Sequence, residues 1–203
     1  INDILYRADA HEVLWRMATM ASVYGRSILK SVWNFKLKRP DFVVIDPRYF
    51  FYDMTVSRWQ DIRYAIEVTT LTKAEFVSRT TSRKRRKGSM EYDPVAAKKA
   101  KFGSFPKWLT DKEDTTAKLS EEMRKTFEWV VVYEVYDFTT DRYYHMLEGS
   151  KEPLFVGELP YTFVRNPFFR LIFNDNLADI GGMADSQLVE RQQGRLNELD
   201  TLE

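Results

Sequence analysis

Trp129-Val130-Val131-Val132-Tyr133-Glu134-Val135-Tyr136-Asp137-Phe138 is a run of β-branched and aromatic residues broken only by Glu134 and Asp137. Thr139-Thr140-Asp141 follow, and then Arg142-Tyr143-Tyr144-His145-Met146-Leu147. Two strand-forming runs around a short polar turn predict a β-hairpin. Outward from it the pattern stays mostly β. Upstream, Ser27 to Phe35, Phe42 to Ile45 between Pro40 and Pro47, and Tyr64 to Thr70 read as strands. Downstream, so do Leu154 to Val156 and Phe168 to Phe173. Thr72-Lys73-Ala74-Glu75 fits a capping box opening a short helix through Phe76 and Val77. Thr110 to Glu113 fits a second, opening a helix with Leu119, Met123 and Phe127 spaced by four.

Helices are expected at both ends. From Ile4 to Ala21, helical spacing places Ile4, Ala8, Trp15, Ala18 and Ala21 near one face, with Gly25 as the stop. After Gly181-Gly182, Asp185 is the candidate N-cap of a helix carrying Leu188, Gln192, Leu196, Leu199 and Leu202. That pattern meets no capping glycine, and the chain opens on Ile1; the expectation is a piece of a longer protein. The class is α+β: a twisted antiparallel sheet or small β-barrel flanked by an N-terminal helix and a C-terminal helix.

A chain of 203 residues buries roughly 70% of its unfolded surface and needs no covalent staples. It has no cysteine, which excludes disulfides, thiolate nucleophiles and sulfur-ligated metals. Its two histidines, His11 and His145, supply a metal or triad site poorly; each is expected to be an ordinary hydrogen-bonded side chain. The 31 basic and 30 acidic residues leave a net charge of +1, which by itself signals neither nucleic acid nor membrane. There is no apolar run long enough for a bilayer and no secretion signal at the start. No G-x-S-x-G elbow, Walker loop or dinucleotide fingerprint occurs.

Charge is nonetheless uneven. From Arg79 to Lys107, ten basic residues stand against Glu91 and Asp93, a local +8 that leaves −7 for the remainder. With Gly88, Pro94, Gly103 and Pro106 inside it, the stretch reads as a long exposed loop with Arg83, Lys84, Arg85, Arg86 and Lys87 at its tip. Phe102, Phe105 and Trp108 interleave with lysines, as in single-strand binders, but are read as anchoring the loop's return. Carboxylates offer one enzymatic reading. Asp41 followed by Glu67 resembles a metal-dependent nuclease core, which wants a lysine two residues after the glutamate where this chain has Thr69. No catalytic, cofactor-binding or metal residue is assigned.

Asp46-Pro47-Arg48-Tyr49-Phe50-Phe51-Tyr52-Asp53 resembles a segment of the portal proteins of tailed bacteriophages. Tyr24-Gly25-Arg26-Ser27-Ile28-Leu29-Lys30 resembles the lead-in to it, Thr72 to Phe76 the short helix that follows, and Val132 to Asp137 an acidic, aromatic strand. Asn166-Pro167-Phe168 and Gly182-Met183-Ala184-Asp185-Ser186-Gln187-Leu188, through Gln192 and Asn197, keep the same order. Collinearity carries the resemblance, and the insert from 79 to 107 departs from it.

The resemblance implies a structural, non-enzymatic subunit of a ring of about twelve copies at one capsid vertex. Residues 1–182 would be a wing-type α+β domain with a basic insert at 78–108, and 183–203 the start of a stem helix. Implied partners are the packaging motor (the terminase large subunit), the major capsid protein or scaffold, adaptor and tail proteins, and double-stranded DNA passing through the channel, with no membrane and no cofactor. The implied location is the virion, after assembly in the host cytoplasm. On this reading Arg83 to Lys87 contact a neighbouring subunit or capsid protein, and Leu188, Gln192, Leu196 and Leu199 pack between subunits. The alternatives are a sequence-independent DNA-binding module using the basic loop, and the nuclease.

Overall fold

A computed structural model describes residues 9–34, 37–80, 91–104, 106, 128–159, 166–176 and 179–200. The run Arg83 to Lys87, the second expected capping-box helix, and Phe105 and Trp108 lie outside them. In chain order the elements are α1 (Ala10–Tyr24), β1 (Ser27–Asn34), β2 (Arg39–Ile45), β3 (Phe50–Tyr52), β4 (Tyr64–Thr72), α2 (Lys73–Thr80) and α3 (Pro94–Ala97). There follow β5 (Trp129–Asp137), β6 (Arg142–Leu147), β7 (Pro153–Glu158), β8 (Phe168–Leu171), β9 (Asn174–Asn176), β10 (Asp179–Met183) and α4 (Asp185–Asp200). The strands form sheets of order β2-β1-β8, β9-β10 and β3-β4-β5-β6-β7. The class is α+β, as expected. The barrel alternative is corrected: among the described strands no sheet closes, and β3 and β7 end an open one.

The chain divides into two compact units, Ile1–Ala65 with Tyr161–Glu203, and Ile66–Pro160. In the first, α1 stops where Gly25 adopts φ 78°, the left-handed conformation that ends a helix. The buried stripe of α1 is Met17 and Ala21, with half-buried Ala10 and Val13 in line. Trp15, expected beside Ala21, is 65% exposed. Two residues from Met17 is about 200° round a helix, so a core on Met17 turns Trp15 outward. Strands β1 and β2 pair antiparallel, with Leu29 opposite Val44 and Trp33 opposite Pro40. β8 pairs along the other side of β1, with Ile28 opposite Arg170. β2 begins three residues before the expected Phe42, because an edge strand tolerates Pro40. The expected strand Phe168 to Phe173 stops at Leu171, and the β9–β10 pair was not anticipated. Its Asn, Asp and Gly residues have low strand propensity, and Asn174 Nδ2 donates to the Met183 carbonyl at 3.3 Å.

In the second unit the predicted hairpin is present: β5 and β6 pair with Val135 opposite Tyr144 and Tyr136 opposite Tyr143. Its turn is drawn in by Asp137, whose carboxylate accepts from the Thr139 and Thr140 amides at 2.9 and 3.2 Å. The capping box at Thr72 also forms: Glu75 Oε2 accepts from the Thr72 amide and hydroxyl, both at 2.9 Å. The stretch read as an exposed loop needs correction over residues 91–104. Tyr92 and Ala96 are buried with Leu71, Phe76, Val130, Val132, Leu147 and Leu154, and Phe102 packs on that core. Asp93 caps α3, accepting from the Val95 amide at 3.1 Å.

Candidate functional site

The segment Asp46 to Asp53 builds the aromatic core of the first unit. Asp46 caps a 3-10 turn over Pro47–Tyr49, accepting from the Arg48 amide at 2.9 Å. Strand alternation in β3 then buries Phe50 and Tyr52 and exposes Phe51. Phe50 meets Phe168 at 4.7 Å between ring centroids and Tyr52 meets Trp59 at 5.1 Å. Trp59 Nε1 donates to the Phe168 carbonyl at 2.9 Å, tying the chain's two separated parts together.

Asp53 is fully buried. Its carboxylate accepts from Arg63 Nε at 2.5 Å and from the Thr55 hydroxyl at 2.6 Å and amide at 3.0 Å. Arg63 first, then Thr55, holds the carboxyl well below the usual carboxylate range despite its burial. A depressed folded-state value makes this contribution fully present above the unfolded value of about 3.9 and lost as pH falls below it. Asp53→Asn is therefore expected to be destabilised at neutral pH, with the gap to the parent narrowing below about pH 4. Urea midpoints at pH 7 and pH 3 check this; a gap that stays constant overturns it. Because Arg63 is half exposed, solvent screening discounts the ionic part.

Helix α4 is anchored at its start. Asp185, expected as the cap, is the first helical residue; the Ala184 amide instead donates to Gln187 Oε1 at 2.9 Å. Asp185 accepts from the Ser22 hydroxyl and from Asn174 Nδ2, and these two hold its carboxyl below the usual value. Just before it, Gly25 and Gly182 come together: a Cβ on Gly182, at φ +76°, would lie 2.5 Å from the Gly25 carbonyl oxygen. Beyond that joint every described side chain of α4 is exposed, Gln192 included. Leu188 and Val189 are 51% and 52% exposed. The side chains of Leu196 and Leu199 lie outside the described residues. Exposed large apolar side chains are concentrated in the first unit, Trp15, Trp33, Phe51, Phe169 and Phe173 among them, whereas the second unit exposes Val77, Val95 and Val156.

The basic run itself is outside the described residues, but its two ends are fastened together. The Tyr92 amide donates to the Arg79 carbonyl at 3.1 Å, and Arg79 Nη1 donates to the Tyr92 hydroxyl at 3.0 Å. The neck continues into the core: Tyr92 OH meets His145 Nδ1 at 2.9 Å, His145 Nε2 meets Tyr143 OH, and Tyr143 donates to Glu134 at 3.0 Å. Arginine can only donate, and Glu134 accepts at the far end. One polarity then satisfies every link, with the His145 proton on Nε2. Burial, with the Glu134 charge second, pushes the Tyr143 hydroxyl far above its usual value and keeps it protonated. Because the neck closes on itself, replacing residues 81–90 by Asn-Gly is expected to shift unfolding by no more than about 0.5 kcal/mol. A urea titration that shows a larger loss would mean the excised residues help hold the second unit.

The nuclease reading finds its two carboxylates in different units. Asp41 on β2 accepts from Asn34 Nδ2 at 3.2 Å and the Phe42 amide at 3.1 Å, while Glu67 is buried on β4. Thr69, in the lysine's place, donates to the Val132 carbonyl at 3.2 Å. Among the described residues no three His, Asp or Glu side chains converge as metal ligands. His11 is exposed on α1 and His145 fully buried on β6. Sequence reasoning missed Arg63 and Tyr92, whose partners are eight or more residues away. No protein-family model matches the chain, and no curated protein matches it significantly. No described helix is long and apolar enough to cross a membrane.

Proposed function

We propose that this chain forms part of a subunit of a tailed-bacteriophage portal ring, a structural conduit for DNA at the capsid vertex. The observation that carries the reading is α4. A 16-residue helix interrupted by Gly194 is marginal in water unless its sides are packed, yet this one is joined at its base and its described side chains are exposed. Such a helix suits a partner copy alongside it, and Leu188 and Val189 offer the apolar contact. The collinear segments described above supply the family, and with it the motor, the capsid or scaffold, and the adaptor and tail proteins as partners in the virion. A conduit needs only weak contact with the DNA it passes, which a body carrying −7 outside its basic insert provides.

The mass of the full-length protein in solution tests this. A ring of about twelve subunits is expected, and Leu188→Glu with Val189→Glu is expected to break it down. A monomer or dimer, or a ring indifferent to both changes, overturns the reading. A DNA-binding module is the second reading, favoured by the closed neck beneath five consecutive basic residues. It requires strong affinity for duplex DNA that falls steeply with salt and is lost when residues 81–90 are excised.

A further inference from the structure

Two arginines of the first unit take no part in the assembly reading. Arg170 on β8 lies directly opposite Ile28 on β1, and Arg26 lies immediately before β1, two residues from Ile28. The Arg26 guanidinium sits 5.5 Å from the Tyr52 ring centroid, and that of Arg170 sits 5.6 Å from Trp59. Those two rings pack edge to face at 5.1 Å. Each guanidinium therefore rests on one ring of a packed aromatic floor.

Neither arginine faces an acid among the described residues. Arg48, Arg58 and Arg63 each face a carboxylate, of Asp46, Asp61 and Asp53 respectively. Arg26 and Arg170 make no ion pair or hydrogen bond among the described residues, and Arg26 Nε and Arg170 Nη1 are buried N–H groups without an acceptor. Buried cationic donors normally carry partners. Both residues remain partly open to solvent, so an incoming anion can reach the rest of each fork.

We propose that Arg26 and Arg170 bind a phosphate group, either free or in a nucleic-acid backbone. Guanidinium forks match a phosphate's oxygens with parallel N–H pairs, and two forks supply more donors than the two oxygens of a carboxylate use. The aromatic floor excludes water from one side and strengthens the attraction.

The test is an NMR titration of the arginine Nε–H signals with inorganic phosphate, at an ionic strength held constant with chloride. Saturable shifts are expected at Arg26 and Arg170 and not at Arg48. Arg26→Gln and Arg170→Gln should each weaken binding by about tenfold or more. Where a glutamine variant does not fold, Arg26→Lys and Arg170→Lys keep the charge without the fork and should also bind less tightly. A parallel titration with a short DNA duplex separates the sources. Saturation by the duplex at lower phosphate concentration assigns a phosphodiester; saturation by inorganic phosphate alone assigns a small phosphorylated ligand. Shifts that never saturate, that match those of Arg48, or that survive both substitutions overturn the proposal. A monomer that binds phosphate leaves it intact, so it stands or falls apart from the ring.

Discussion

Gly182→Ala is expected to lower the free energy of unfolding by about 3 kcal/mol, and Gly25→Ala by about as much. Both glycines hold positive φ, which costs an L-residue about 1–2 kcal/mol. The added Cβ has nowhere to go: on Gly182 it meets the Gly25 oxygen at 2.5 Å and Ile172 at 2.7 Å, and on Gly25 it meets Met183 and Ala184 backbone atoms at 2.7 Å. These contacts are mostly with main chain, which cannot rotate away. Urea midpoints give the measurement, with Gly103→Ala as the reference, since a Cβ there meets nothing within 4 Å. Losses no larger than the reference would mean that the end of α1 and the start of α4 do not touch. That joint also sets where α4 leaves the first unit, so under the proposed ring either substitution would reduce assembly beyond its effect on folding.

The second large effect is at His145. His145→Phe keeps a buried ring of similar size but removes both nitrogens, and is expected to cost about 2–3 kcal/mol. The Tyr92 hydroxyl then loses its acceptor in a place closed to water, while Tyr143 loses a donor. Tyr92→Phe alone should cost about 1–3 kcal/mol, because it leaves the buried His145 Nδ1 without its donor. If the two residues belong to one chain of bonds, the double variant costs less than the sum of the singles. Strict additivity in urea unfolding would show that Tyr92 and His145 are energetically separate.

Much of the second unit could be read from residues 129–147, because strand propensity, turn chemistry and pairing all agree there. The Thr72 capping box is equally local, needing only residues three apart. Other features depend on partners distant in the chain. Trp15 has the spacing of a core residue, and only the packing of Met17 decides that it faces out. Tyr92 sits among lysines, prolines and glycines that hide its burial, and its tie to His145 spans 53 positions. The candidate surfaces divide the same way. Leu188 and Gln192 on one helical stripe are visible in the spacing, whereas two arginines facing no acid among the described residues are visible only in the folded chain.

Strand β2 has β1 on one side, and none of the described strands on the other. An uncovered row of amides invites a second chain to add itself to the sheet, the route to fibrils. Here Pro40 withholds one donor from that margin and Asp41 sets a carboxylate beside it. The margin is thereby guarded against runaway stacking of one sheet upon another.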